Sequence, residues 1–243
     1  MFLIERLISI KAKKVTKLEK GSMKITKLKV RGILLDLDGT VVDSKEAYAE
    51  AAKIAFQKMG QKIPETETVI ELPKRLEQNL SITDIINGSV TDFLNVYFQA
   101  YYSQTKEKTT PIPNAQIALR KLSQKAKLAL ITMRFVHKNQ IIKELENFSL
   151  AKYFSYIITA LDTHKPKPSP EALIKTVKAL DVNMCDCVIA GDSVIDIRAG
   201  KAAGAKTVAV LSGLYSQKEL AEEKPDLILK DITWLPNHVD SAD

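Results

Sequence analysis

Two aspartates one residue apart, Asp36 and Asp38, follow an apolar run at 30–35, and a second spaced pair, Asp192 and Asp196, follows another at 187–190. Thr132 closes a run at 128–131, and Lys167 lies beyond one at 156–159. Carboxylates gathered at one spot repel each other unless a cation offsets them. Oxygen donors with no histidine nearby (His137, His164 and His238 stand apart in sequence) point to Mg²⁺ rather than zinc. Asp36 and Asp192 can each supply a ligand oxygen, with a backbone carbonyl and water completing the shell. A carboxylate so placed can attack phosphorus and take up the phosphoryl group. Lys167 and the metal would stabilise the charge on the transferring oxygens, and the Thr132 hydroxyl can donate to one of them. Gly39 lets the chain turn sharply after the first acidic pair.

For these residues to meet, the runs must be strands of one sheet. Short apolar runs at 30–35, 128–131, 156–159, 187–190, 207–211 and 227–229 alternate with helical stretches at 115–124, 138–148, 171–180 and 195–203. That alternation predicts a parallel sheet covered on both faces, whose strand ends open into a common crevice. Residues 44–110 break the rhythm. Helical patterns at 47–59, 74–78 and 89–102 predict an all-helical insert, with the stripe Phe93, Tyr97, Tyr101 in its core. Pro111-Ile112-Pro113 marks the return to the sheet.

The chain has 243 residues, 45% of them hydrophobic, enough for a buried core. No apolar run reaches the roughly 18 residues of a membrane span, and the amino terminus lacks a secretory signal pattern, so a cytoplasmic protein is expected. Net charge is +7, but residues 1–31 carry eight lysines, two arginines and two glutamates, leaving −1 for the rest. The basicity belongs to an arm, read as a solvated extension, and nucleic acid is not the expected partner. Cys185 and Cys187 are too few for a disulfide scaffold and read as small residues entering a buried strand.

Asp36-Leu37-Asp38-Gly39-Thr40-Val41 resembles the first motif of the haloacid dehalogenase (HAD) superfamily, and Ile131-Thr132 its second. Lys167-Pro168-Ser169-Pro170-Glu171 is similar to the third motif of phosphoglycolate-phosphatase-like members. Gly191-Asp192-Ser193-Val194-Ile195-Asp196 is similar to the fourth, continued by Ala203-Gly204. The likeness spans about residues 30–230. It implies an α/β fold with a doubly wound, mainly parallel Rossmann-like sheet and a small all-helical cap inserted after the first strand. The expected layout is a basic extension over 1–29, a core of 30–43 and 111–237, and a cap over 44–110.

The resemblance also implies roles. Asp36 would be the nucleophile and Asp38 the acid and then the base, with its carbonyl on the metal. Thr132 and Lys167 would hold the phosphoryl group, with Gly39, Thr40, Met133 and Arg134 in the phosphate and substrate site. Asp192 would complete the Mg²⁺ ligands, Ser193 would support them, and Asp196 would support the metal shell or orient the lysine. Lys165, also followed by proline, competes with Lys167 for its role. Many relatives carry a small polar residue where Met133 and Arg134 stand. Arg134 could meet a substrate carboxylate, a second phosphate or a neighbouring side chain, and Lys74 or Arg75 could meet substrate or face solvent. An aspartate at position 38 suits an alcohol leaving group, which favours phosphate ester hydrolysis over dehalogenation. The implied substrate is a small phosphorylated metabolite, with phosphoglycolate the family-based choice, acted on by a monomer or homodimer. Phosphoglucomutase-type transfer and a non-catalytic binding protein on the same fold are the alternatives.

Overall fold

The computed structural model describes residues 27–242. The basic arm over 1–26 lies outside the described residues. Six parallel strands form the central sheet: β2 (Gly32–Leu35), β5 (Lys127–Ile131), β6 (Tyr156–Ile158), β7 (Cys187–Gly191), β8 (Lys206–Val210) and β9 (Leu227–Leu229). Their order across the sheet is β6-β5-β2-β7-β8-β9. The chain winds from β2 towards β6, then returns to β7 on the other side of β2 and continues outward. The switch point therefore lies between β2 and β7, where an open α/β sheet forms its crevice.

Alternation along β2 shows how both faces are covered. Ile33 and Leu35 join one core cluster with Leu119, Leu122, Ile141 and Leu145, from α4 (Ala115–Ser123) and α5 (Lys138–Asn147). Leu34 joins the opposite cluster with Leu173, Val177 and Leu180 of α6 (Glu171–Leu180). Each fully buried side chain of this kind contributes about 1.5–3 kcal/mol. Helix α7 (Val194–Ala203) follows β7, and α8 (Gln217–Glu222) precedes β9.

A two-residue antiparallel ribbon, β3 (Val42–Asp43) with β4 (Thr110–Pro111), closes the base of the helical cap. Between them run α1 (Lys45–Lys58), α2 (Thr66–Glu77) and α3 (Val90–Lys108). Ala47, Ala51, Ala52 and Ala55 give α1 a small-residue face on which Phe93, Tyr97 and Tyr101 of α3 pack. Phe56 meets Phe93 edge to face at 5.0 Å, and Tyr48 stacks on Tyr101 at 4.8 Å.

Four expectations need correction. The run at 30–35 is two elements, because β1 (Leu28–Val30) leaves the central sheet and pairs with β10 (Val239–Ser241). The extension drawn to residue 29 therefore includes strand, and the core drawn to 237 omits β10. The helix expected at 74–78 begins at Thr66 and carries Pro73 inside it. Proline removes the bond to the carbonyl four residues back, but Val69, Leu72 and Pro73 are buried together and hold the turn. Cys187 is buried at the head of β7 as expected, whereas Cys185 is exposed in the turn before it.

Candidate active site

The residues singled out by type and spacing meet at the carboxyl ends of β2, β5 and β7. Asp36 follows β2, Thr132 follows β5 and Asp192 follows β7. Asp36, Asp192 and Asp196 can each offer a carboxylate oxygen within 4.8 Å of the others, and all three are buried. Lys167 is 3% exposed; its Nζ donates to Asp36 Oδ1 at 2.5 Å and Asp196 Oδ1 at 2.5 Å. Lys165 is exposed on the surface. Of the two lysines, Lys167 is the one whose side chain turns inward to the carboxylates.

Asp196 serves two neighbours. Its Oδ2 accepts the Ser193 backbone N–H, closing a capping box at the start of α7, while Oδ1 holds Lys167. The helix cap thus fixes the lysine. The Thr40 hydroxyl is buried and donates to Asp192 Oδ1 at 3.2 Å, so Thr40 positions a carboxylate rather than facing the cavity. Thr132 is buried, and its Oγ1 accepts the Arg134 N–H at 3.1 Å.

The turns around Asp192 are glycine for steric reasons. A Cβ on Gly213 would lie 1.6 Å from Asp192 Oδ2, and one on Gly39, whose φ is +76°, 2.5 Å from the same atom. A Cβ on Gly191 would lie 2.1 Å from Asp196 Oδ2.

Arg134 finds its partner in a neighbouring carboxylate. Only 4% exposed, it donates from Nε to Asp38 Oδ2 at 2.8 Å and from Nη2 to Asp38 Oδ1 at 2.6 Å, and from Nη1 to Glu144 at 2.5 Å. Ser44 also donates to Asp38. Ser44 precedes α1, where a serine usually caps the helix, but its hydroxyl is spent on Asp38 and makes no cap bond. Lys74 pairs with Glu219 of the core and lies over the Tyr215 ring at 4.9 Å, and Arg75 pairs with Asp84 and Glu71. Neither reaches the cavity.

Helix α2 brings in a residue that the motifs did not announce. Glu77 accepts the Ser193 hydroxyl at 2.5 Å. Next to it, Gln78 donates to the Tyr215 hydroxyl at 3.1 Å and accepts from Arg198 at 3.1 Å. These contacts close the cap over the core. Beneath lies a two-lobed cavity. A lobe of about 40 Å³ is bounded by Asp36, Lys167, Asp192 and Asp196. A lobe of about 150 Å³ lies against Tyr48, Tyr97, Tyr101, Tyr102 and Arg134. Asp38, Tyr48, Pro73, Glu77 and Met133 border both. Tyr97 and Tyr101 are thus core residues, as expected, that also line the cavity.

Charge balance explains the electrostatics. Burial pushes the carboxyl of Asp36 up, against the pull of Lys167. Burial, then the charges of Asp36, Asp196 and Glu77, push Asp192 well above the ordinary range. Burial also raises Glu77 to about 7, although the Ser193 hydroxyl works the other way. Burial alone would raise Asp38 too, but the Arg134 guanidinium outweighs it and holds the carboxyl below its usual value. A buried all-oxygen donor set with excess negative charge, walled by glycines that leave no room for a Cβ, suits a hard divalent cation.

The chain matches the family described as haloacid dehalogenase-like hydrolase over residues 33–210. A phosphoglycolate phosphatase of Pseudomonas fluorescens is 30% identical over 84% of this chain and 78% of its own length. Among solved structures, a haloacid dehalogenase-like family hydrolase from Streptococcus pneumoniae superposes with a TM-score of 0.70 at 20% identity, covering 84% of this chain and 95% of its own. A hydrolase from Pseudomonas syringae gives 0.70 at 24% identity, over 86% and 97%. Among the described residues, no helix is long and apolar enough to cross a membrane.

Proposed function

The chain belongs to the haloacid dehalogenase-like hydrolase family and is a phosphatase, and on that premise we propose that it hydrolyses a small organic phosphate monoester with Mg²⁺, through an aspartyl-phosphate on Asp36. The observation that carries this reading is the meeting of three buried carboxylates with one buried lysine beside Asp38. The metal would be held by carboxylate oxygens of Asp36 and Asp192 and the backbone carbonyl of Asp38, with Asp196 and Ser193 behind them. When bound, Mg²⁺ supplies positive charge for the phosphoryl oxygens and lets an ester dianion enter a negative pocket.

Asp36 attacks phosphorus, the P–O bond to the alcohol breaks, and Asp38 hands its proton to the departing oxygen. Arg134 holds Asp38 ionised before substrate enters, so the proton that Asp38 donates is taken up from solvent as the ester binds. The entering phosphoryl dianion raises the proton affinity of Asp38 again, because a nearby like charge disfavours the ionised form. Lys167 and the Thr132 hydroxyl neutralise the equatorial oxygens. Asp38 then takes a proton from the water that attacks the aspartyl-phosphate, which releases inorganic phosphate and restores Asp36. The closed cap keeps bulk water out.

The test is inorganic phosphate release from a panel of small esters with Mg²⁺ and with EDTA, alongside Asp36→Asn. Mg²⁺-dependent release that the variant lacks is expected. Turnover retained by Asp36→Asn would overturn the nucleophile. Transfer to a sugar hydroxyl without release of phosphate would favour the mutase alternative.

A further inference from the structure

The larger lobe of the cavity lies away from the carboxylate cluster, and Asp38 borders both lobes. Whatever leaves with the proton from Asp38 must sit there. Its volume of about 150 Å³ matches an apolar cavity that takes a benzene ring. Its walls are Tyr48 of α1 and Tyr97, Phe98, Tyr101 and Tyr102 of α3. Aromatic faces and edges of this kind attract a ring beyond what area burial alone provides.

The charges in the lobe argue against an acid. Arg134 is the cation among the described residues that line it, and its single charge is already shared by two buried carboxylates: Nε and Nη2 donate to Asp38 and Nη1 to Glu144. Glu77 lines the same lobe with its carboxylate. An anionic leaving group, such as a hydroxy acid or a second phosphate, would enter beside Glu77 and Asp38, where that lining cation is already outnumbered by carboxylates. Like charges brought together repel and disfavour binding.

We propose that the leaving group is an uncharged alcohol of ring size, seated on the tyrosines of the cap, and that Glu77 turns anionic leaving groups away. This rests on the phosphatase reading above.

Benzyl phosphate and 2-phosphoglycolate separate the two classes. Both are esters of primary alcohols, so the lobe rather than a strongly activated leaving group decides between them. With Mg²⁺ at about pH 8.5, above the value of about 7 to which burial raises Glu77, kcat/KM for benzyl phosphate should exceed that for phosphoglycolate by at least about tenfold. In Glu77→Gln, which keeps the shape and removes the charge, that ratio should fall about tenfold. A melting curve confirms that the variant is folded. Phosphoglycolate as the better substrate, or a ratio that folded Glu77→Gln leaves unchanged, would overturn the proposal. If the phosphoglycolate turnover depends on Mg²⁺ and disappears in Asp36→Asn, the phosphatase reading survives and this inference alone fails. Release from neither ester by folded protein with Mg²⁺ would overturn the inference together with that reading.

Discussion

Asp192 is a buried carboxylate with no cation bonded to it among the described residues. Lys167 is shared by Asp36 and Asp196, and Arg134 by Asp38 and Glu144. Asp192 is 7% exposed and has the Thr40 hydroxyl at 3.2 Å. Its folded pKa lies well above the ordinary carboxylate value, from burial first and then from Asp36, Asp196 and Glu77. A carboxyl raised in this way costs nothing below its unfolded pKa, near 4, and progressively more as pH rises above it. Asp192→Asn keeps the shape and removes the charge. A buried polar group short of partners costs about 1–3 kcal/mol, more when charged. In EDTA at pH 8 the variant should therefore be more stable than the parent by at least about 1–3 kcal/mol. At about 2–4 °C per kcal/mol for a chain of this size, Tm should rise by about 2–12 °C. The gain should fade towards pH 4. Millimolar Mg²⁺ should stabilise the parent by mass action and the variant far less. Thermal melts from pH 4 to 8, with EDTA and with Mg²⁺, read all of this. A variant that melts below the parent in EDTA at pH 8, or a gain equal at pH 4 and pH 8, would refute the charge argument.

Arg134→Met strands the buried Asp38 and Glu144 carboxylates and should cost about 3–5 kcal/mol. Because Arg134 holds Asp38 below its usual pKa, that contribution is present above the unfolded value, and the loss should shrink as melts are taken below about pH 4. Gly213→Ala drives a Cβ into Asp192, and the Mg²⁺ concentration for half-maximal activity should rise about 10–100-fold; an unchanged titration would remove the steric reading. Lys167→Met should lower kcat by about 10²–10³-fold, whereas Lys165→Met should leave it near the parent value; phosphate-release kinetics on both variants check this.

The strand before Asp36, its acidic pair and the fourth motif were legible because each is local: an apolar run, then carboxylates within a few residues. The parallel sheet was legible for the same reason, since runs buried on both faces need no partner to be read. Arg134 could be flagged but not assigned, because its choice between a ligand and a carboxylate depends on a helix ten residues on and a strand end 96 residues back. Glu77 and Gly213 gave no signal. Glu77 sits in a helix interrupted by Pro73, which breaks the pattern that would have aimed it, and Gly213 is an ordinary loop glycine until Asp192 is seen against it. Ser44 misleads by position, since its sequence context is that of a cap. The β1–β10 pair escapes because two three-residue strands at opposite ends of the chain carry too little pattern to announce each other.

The place of β2 in the sheet also sets an order of events as the chain is made. The strand that carries Asp36 leaves the ribosome early, yet it is hydrogen-bonded on one side to residues 127–130 and on the other to residues 187–190. Its four residues, all buried when finished, have no complete seat until the fourth motif has followed them out. The cap has a different schedule: α1 and α3 pack on each other through a cluster drawn from residues 47–101, and can do so while the sheet is still waiting. In the order of synthesis, the contacts within the cap are all available before those of the central sheet. A nascent chain stalled before residue 187 would hold a folded helical unit beside an exposed apolar strand, the species most open to capture by chaperones or by another nascent chain.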